Sequence, residues 1–170
     1  MGFIRTKKIK GNKYAYIVEN SWKNSKVKQK VKRYLGRVYE FKRKDSDFEK
    51  FIGRNVEEFI AMSSSEDIII KLVEWELLNH CFELKEGLYV NGRCLVDLKK
   101  KKIRNLRGSK IALGFNEGFL DEYSLRKLIR KKHKGEEQGE LGYTLAKMFV
   151  ETGIKIPHEV FVGYFSKLYK

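Results

Sequence analysis

Lys26, Lys28, Lys30 and Lys32 stand at every second position of the stretch KVKQKVKRY, with Val27, Gln29 and Val31 between them. A period of two is that of a β-strand, whose successive side chains point to opposite faces. As a strand, the stretch carries a ladder of ammonium groups with Tyr34 on one side. The other side leans apolar through Val27, Val31 and Leu35. Neighbouring like charges repel and cost folding stability. A phosphate backbone offsets that repulsion and releases its own counterions. The chemistry predicted here is polyanion binding.

A second constellation is Asp97-Leu98-Lys99, with Glu83, Glu86 or Glu117 as further carboxylates. Metal-dependent nucleases hold Mg²⁺ with clustered carboxylates and use a lysine to assist the attacking water. A D-x-K triplet arises readily by chance in a lysine-rich chain, so this is a minor reading. Cys81, Cys94 and the neighbouring His80 lack a fourth ligand for zinc and do not make a disulfide framework. The segment GEEQGELG has glycines but is too acidic to cradle a phosphate. His133 and His158 have no acid partner nearby. The expectation is a chain without catalytic residues, metal or cofactor.

Charge is segregated along the chain. Residues 1–44 hold 15 Lys and Arg against two acids, and residues 99–134 hold 13 against three. Residues 45–98 are acidic, with 12 acids against five bases, and residues 135–170 are near neutral. Two basic blocks are the electrostatic footprint of a polyanion partner. The first predicted patch comprises Arg5, Lys7, Lys26, Lys28, Lys30, Lys32 and Tyr34. The second comprises Lys99, Lys100, Lys101, Lys102, Arg104 and Arg107, with Arg126, Arg130 and Lys131 beside it. Tyr14, Tyr16 and Trp22 lie among the cations, suited either to stacking on bases or to packing in a core.

These residues need elements to carry them. Residues 3–10 and 13–22 flank Gly11-Asn12, a pair suited to a two-residue hairpin turn. With Val27 to Val38 they predict three antiparallel strands. One face collects Phe3, Arg5, Lys7, Ile9, Tyr14, Tyr16, Val18, Asn20 and Trp22. The predicted fold class is α+β, with a basic three-stranded lobe over 1–44 and an α+β domain over 45–170. That second part comprises helices at 46–62 and 65–82, an antiparallel meander over 88–115, and helices at 120–134, 139–152 and 157–169. Ser46 and Glu49 suggest a capping box. Asn91-Gly92 between apolar runs predicts a tight hairpin. Lys99–Lys102 reads as part of a strand.

The segment FIRTKKIKGNKYAYIVENSWKNSKVKQKVKRYLGRV resembles the N-terminal segment of insertion-sequence transposases of the DDE class. Lys10-Gly11, Tyr14, Tyr16, Val18-Glu19, Lys26-Val27, Gln29 and Tyr34-Leu35-Gly36 carry the likeness, which covers about a fifth of the chain. The resemblance implies a small nucleic-acid-binding lobe, with DNA slightly favoured over RNA. Catalysis does not carry over: the remaining chain is too short for that family's RNase-H-like domain and offers no aspartate-aspartate-glutamate set.

No apolar run approaches the roughly 18 residues of a membrane span, and the N-terminus lacks the apolar core of a signal peptide. The expected location is cytoplasmic. Only two glutamines among many Lys, Glu and Ile residues suggest a thermophile. The expected activity is non-catalytic nucleic-acid binding, in a ribonucleoprotein or beside a protein partner. A module that docks an acidic protein and a metal-dependent nuclease are the alternatives.

Overall fold

The computed structural model describes residues 2–23, 26–130 and 137–169. Strands β1 (Phe3–Ile9), β2 (Asn12–Lys23) and β3 (Lys26–Glu40) run antiparallel in sequence order. The first hairpin pairs Ile9 with Asn12, so its turn is Lys10-Gly11, one residue earlier than predicted. Both turn residues have positive φ, 48° and 79°, as the turn that matches strand twist requires.

These strands do not form a sheet of their own. The last four residues of β3, Arg37–Glu40, pair in parallel with β8 (Ile111–Phe115), which pairs antiparallel with β9 (Gly118–Asp121). The result is a five-stranded mixed sheet of order β1-β2-β3-β8-β9 in place of the predicted three-stranded antiparallel one. At 15 residues, β3 is long enough to serve two neighbours in succession. Gly36 marks the changeover. Its φ is +128°, and a Cβ there would lie 2.5 Å from the Lys110 carbonyl oxygen. Every residue of β8 is buried, the pattern of an inner strand covered on both faces.

The predicted helix over 46–62 is two helices, α1 (Phe48–Ile52) and α2 (Val56–Met62), separated at Gly53 with φ 68°. The expected Ser46–Glu49 capping box does not form. Asp47 caps α1 by accepting from the Lys50 N–H, while Glu49 accepts from Val56 N–H. Ser46 instead accepts from the Trp75 indole N–H at 2.8 Å. The isoleucine run belongs to α3 (Ser65–Asn79), whose capping box is Ser64 with Asp67. A four-stranded antiparallel meander follows: β4 (Glu83–Lys85), β5 (Leu88–Asn91), β6 (Cys94–Asp97) and β7 (Lys102–Asn105). Its central hairpin pairs Asn91 with Cys94, which moves the turn to Gly92-Arg93. The Asn91 amide is used elsewhere, donating to the His80 carbonyl. Helices α4 (Glu122–Arg130), α5 (Gln138–Thr152) and α6 (His158–Tyr169) complete the described chain. The start of the predicted 120–134 helix is the end of β9.

The main core joins α3, both sheets and the later helices through Leu72, Val73, Phe82, Phe115, Leu120 and Leu145. A smaller core, Ala15, Leu35, Val38 and Ala112, lies on one face of the mixed sheet. At the centre of the molecule the fully buried Glu76 of α3 collects donors from three other regions. Arg43 Nε reaches it at 3.0 Å, Asn116 Nδ2 at 3.0 Å and the Lys155 N–H at 3.1 Å. A buried carboxylate is tolerable only with this degree of pairing.

Candidate nucleic-acid interface

The pairing of β1 reaches only to Phe3 opposite Val18. Beyond that point β2 and β3 continue as a two-stranded ribbon, with Glu19 opposite Lys30, Ser21 opposite Lys28 and Lys23 opposite Lys26. The alternating lysines therefore sit on an arm that extends past the edge strand. Lys26, Lys28 and Lys30 form no ion pair among the described residues, and all three are exposed. Lys32 is different: it pairs with Glu19 at 3.0 Å.

Two register shifts in β3 change the distribution expected from strict alternation. Tyr16 pairs with Tyr34 while Ala15 pairs with Gly36, so Leu35 is the extra residue of one bulge. Ile17 pairs with Arg33 while Val18 pairs with Val31, so Lys32 is the extra residue of another. Each bulge inserts one residue and shifts the following side chains relative to the partner strand. The predicted single face of Lys26, Lys28, Lys30, Lys32 and Tyr34 is corrected accordingly. Lys26, Lys28 and Lys30 share a face with Glu19 and Ser21, whereas Tyr34 lies with Tyr16 on the opposite one. Leu35 is released from the Val27 and Val31 side into the small core, where it is 3% exposed.

The face bearing Tyr34 is the one on which β1 and β2 place Phe3, Arg5, Lys7, Tyr14, Tyr16 and Trp22. That grouping agrees with the sequence expectation for β1 and β2. Tyr34 is a contact centre, with ring centroids 5.4 Å from Tyr16 and 6.4 Å from Tyr14. Burial, then the neighbouring phenols, hold the Tyr34 hydroxyl above its ordinary pKa. Cations are interleaved with these rings. Lys7 Nζ is 5.9 Å from the Tyr16 centroid, and the Arg5 guanidinium donates to the Gln29 side chain. Arg37, absent from the predicted patch, lies 5.2 Å from the Tyr39 ring. Trp22 is 77% exposed and Tyr34 49%, so these rings are not core residues. Trp75, by contrast, is buried.

The second predicted patch is assembled differently from its prediction. Lys99, Lys100 and Lys101 occupy the turn Leu98–Lys101 between β6 and β7, and only Lys102 begins a strand. Asp97 organises that turn by accepting from the Lys100 N–H at 2.8 Å. Lys101 pairs with Glu66 at 2.7 Å. Arg104 and Arg126 both pair with Glu122, at 2.7 and 3.0 Å. The chain's own acids thus neutralise these three. Lys99, Lys100, Lys102 and Arg107 are exposed and form no ion pair among the described residues. Arg130 ends α4. Lys131 lies outside the described residues.

The carboxylates considered for Mg²⁺ do not gather. Glu83 pairs with Lys85 at 2.6 Å, Asp97 caps its turn, and no group of three or more His, Cys, Asp and Glu able to hold a metal occurs among the described residues. Cys81 and Cys94 are both free thiols, and burial pushes Cys94 up to about 12. No helix among the described residues is long and apolar enough to cross a membrane. The fold and surface define an α+β chain whose β2–β3 ribbon carries a lysine row on one face, while aromatic rings line the opposite face of the ribbon and of the sheet it extends. No family model, curated protein or solved structure matches it.

Proposed function

We propose that the chain binds nucleic acid through the β2–β3 ribbon, with phosphates as the primary contact. The observation that carries this reading is the row Lys26, Lys28 and Lys30, exposed on a projecting ribbon and paired with no acid of the described chain. Holding three ammonium groups on one face costs stability. A polyanion offsets that cost and gains entropy by counterion release. Arg5, Lys7, Lys99, Lys100, Lys102 and Arg107 add to the positive field that draws the polymer in. The transposase-like segment Phe3–Val38 contains this whole ribbon and supports the same reading.

The test is the salt dependence of binding to a labelled oligonucleotide. Neutralising about six phosphates gives a slope of log affinity against log salt near −5. Lys26→Gln, Lys28→Gln and Lys30→Gln together are expected to flatten the slope by about three. Affinity that does not respond to salt overturns the proposal and favours a docking module for a protein partner.

A further inference from the structure

We infer that the Tyr16–Tyr34 face of the sheet takes unpaired bases, which makes a single strand, rather than a duplex, the preferred form of the polymer. This inference rests on the phosphate-binding reading and adds a contact that phosphates cannot supply. A positively charged ribbon alone binds either form, because both carry a phosphate on every nucleotide. Exposed aromatic rings on a strand surface add what only an unpaired base can use, a flat partner for its π-face. In a duplex those faces are already covered by stacking on the neighbouring pairs.

The rings are placed for this on one continuous surface. Tyr14, Tyr16 and Trp22 lie on the same face of β2, and the eight steps from Tyr14 to Trp22 cover about 26 Å at the rise of a β-strand. Tyr34 of β3 lies directly across from Tyr16. Phe3 and Val31, 40% and 47% exposed, flank the buried Val18 next to Tyr16, and the polar pair Asn20–Gln29, to which Arg5 also donates, lies between Val18 and Trp22. The strip is bordered by the cations Arg5 and Lys7 on β1 and Arg37 on β3. Cations alternating with rings fit a backbone that runs beside stacked bases. They do not fit an apolar protein helix, which would leave them without partners. The row of Lys26, Lys28 and Lys30 on the reverse of the same ribbon gives the strand a second line of phosphate contacts.

The experiment measures affinities of the full chain for four fluorescein-labelled 12-mers: dT12, U12, a dT12 duplex with dA12, and an abasic 12-mer that has the phosphates but no bases. The expected order places dT12 or U12 at least about tenfold tighter than the abasic backbone and tighter than the duplex. Whichever of dT12 and U12 is tighter tells DNA from RNA as the preferred polymer. Tyr34→Ala and Trp22→Ala are expected to weaken the tighter of the two by about fivefold or more each, and to leave the abasic 12-mer unchanged. Tyr34→Phe, which keeps the ring, is expected to bind like the parent and shows that the sheet still folds. Equal affinity for the abasic and base-containing strands overturns the stacking inference and leaves phosphate binding standing. A tighter duplex overturns it in the same way. Failure to bind any of the four overturns the phosphate reading as well.

Discussion

Individual side chains divide into those that hold the molecule together and those left exposed on its surface. Glu76 is the clearest of the first kind, since one carboxylate serves Arg43, Asn116 and the backbone at Lys155. Glu76→Gln leaves the Arg43 guanidinium without its buried counter-charge, and is expected to cost about 3 kcal/mol in a urea unfolding experiment. His80, which caps the C-terminus of α3 one turn after Glu76, is buried with its ring stacked 4.2 Å from Phe115. Burial holds its pKa below the ordinary 6.5, against the opposing pull of the Glu76 carbonyl. The unfolded chain therefore takes up a proton that the folded chain refuses. This share of stability is complete above pH 6.5 and is lost as pH falls below it. Melting temperatures between pH 7.5 and 5 are expected to decline, and His80→Asn is expected to shallow that decline. An unchanged slope in the variant removes His80 as a cause.

Elements place these side chains, and β3 places most of them. Its first part forms the ribbon with β2, its middle contains two bulges, and its end joins the sheet beside β8. The bulges put Leu35 into the core and Tyr34 beside Tyr16, an outcome that strict alternation cannot produce. Gly36 makes the join possible, because a side chain there meets the Lys110 carbonyl and the backbone has a φ of +128°. Gly36→Ala is expected to cost at least 1–3 kcal/mol from backbone strain alone. In the same variant, hydrogen exchange should accelerate in Arg37–Glu40 and in β8 before it does in α3. Protection that falls evenly through the chain contradicts this role for Gly36. The turn Leu98–Lys101 shows the converse case. A run of four lysines reads as a strand edge, but its first part folds into a turn, with the Asp97 carboxylate accepting from the Lys100 N–H and the Leu98 carbonyl from the Lys101 N–H.

At the scale of the whole molecule, the net charge of +15 is distributed by pairing as much as by sequence. Glu122 restrains Arg104 and Arg126, and Glu66 restrains Lys101, so the second basic block presents fewer free cations than its composition suggests. Among the described residues, Lys26, Lys28 and Lys30 of the ribbon form no ion pair. Glu122→Gln is therefore expected to strengthen oligonucleotide binding at low salt and to steepen the salt slope by up to two, at a stability cost of about 1 kcal/mol. If the slope does not change, Arg104 and Arg126 lie outside the path of the polymer. The acidic block of residues 45–98 supplies the neutralising Glu66 and the buried Glu76, so much of it is turned to the protein's own use.

Period and punctuation in the chain were enough to specify the α+β class, the first hairpin, the faces of β1 and β2, and four of the helical regions. These depend on contacts a few residues apart, for which residue types suffice. The same local rules assigned the ribbon lysines to a strand. Which strand lies beside which was not legible, because Ile111–Phe115 joins β3 across more than 70 residues and nothing in either segment names its neighbour. The bulges, the break of α1 from α2 and the partners of Arg104, Arg126 and Lys101 depend on the same long-range fit. An alternating pattern tells which side chains emerge together only while the register is unbroken. The packing of β3 against both β2 and β8 breaks it twice, and so only the tertiary structure set the lysines on one side of the ribbon and the tyrosines on the other.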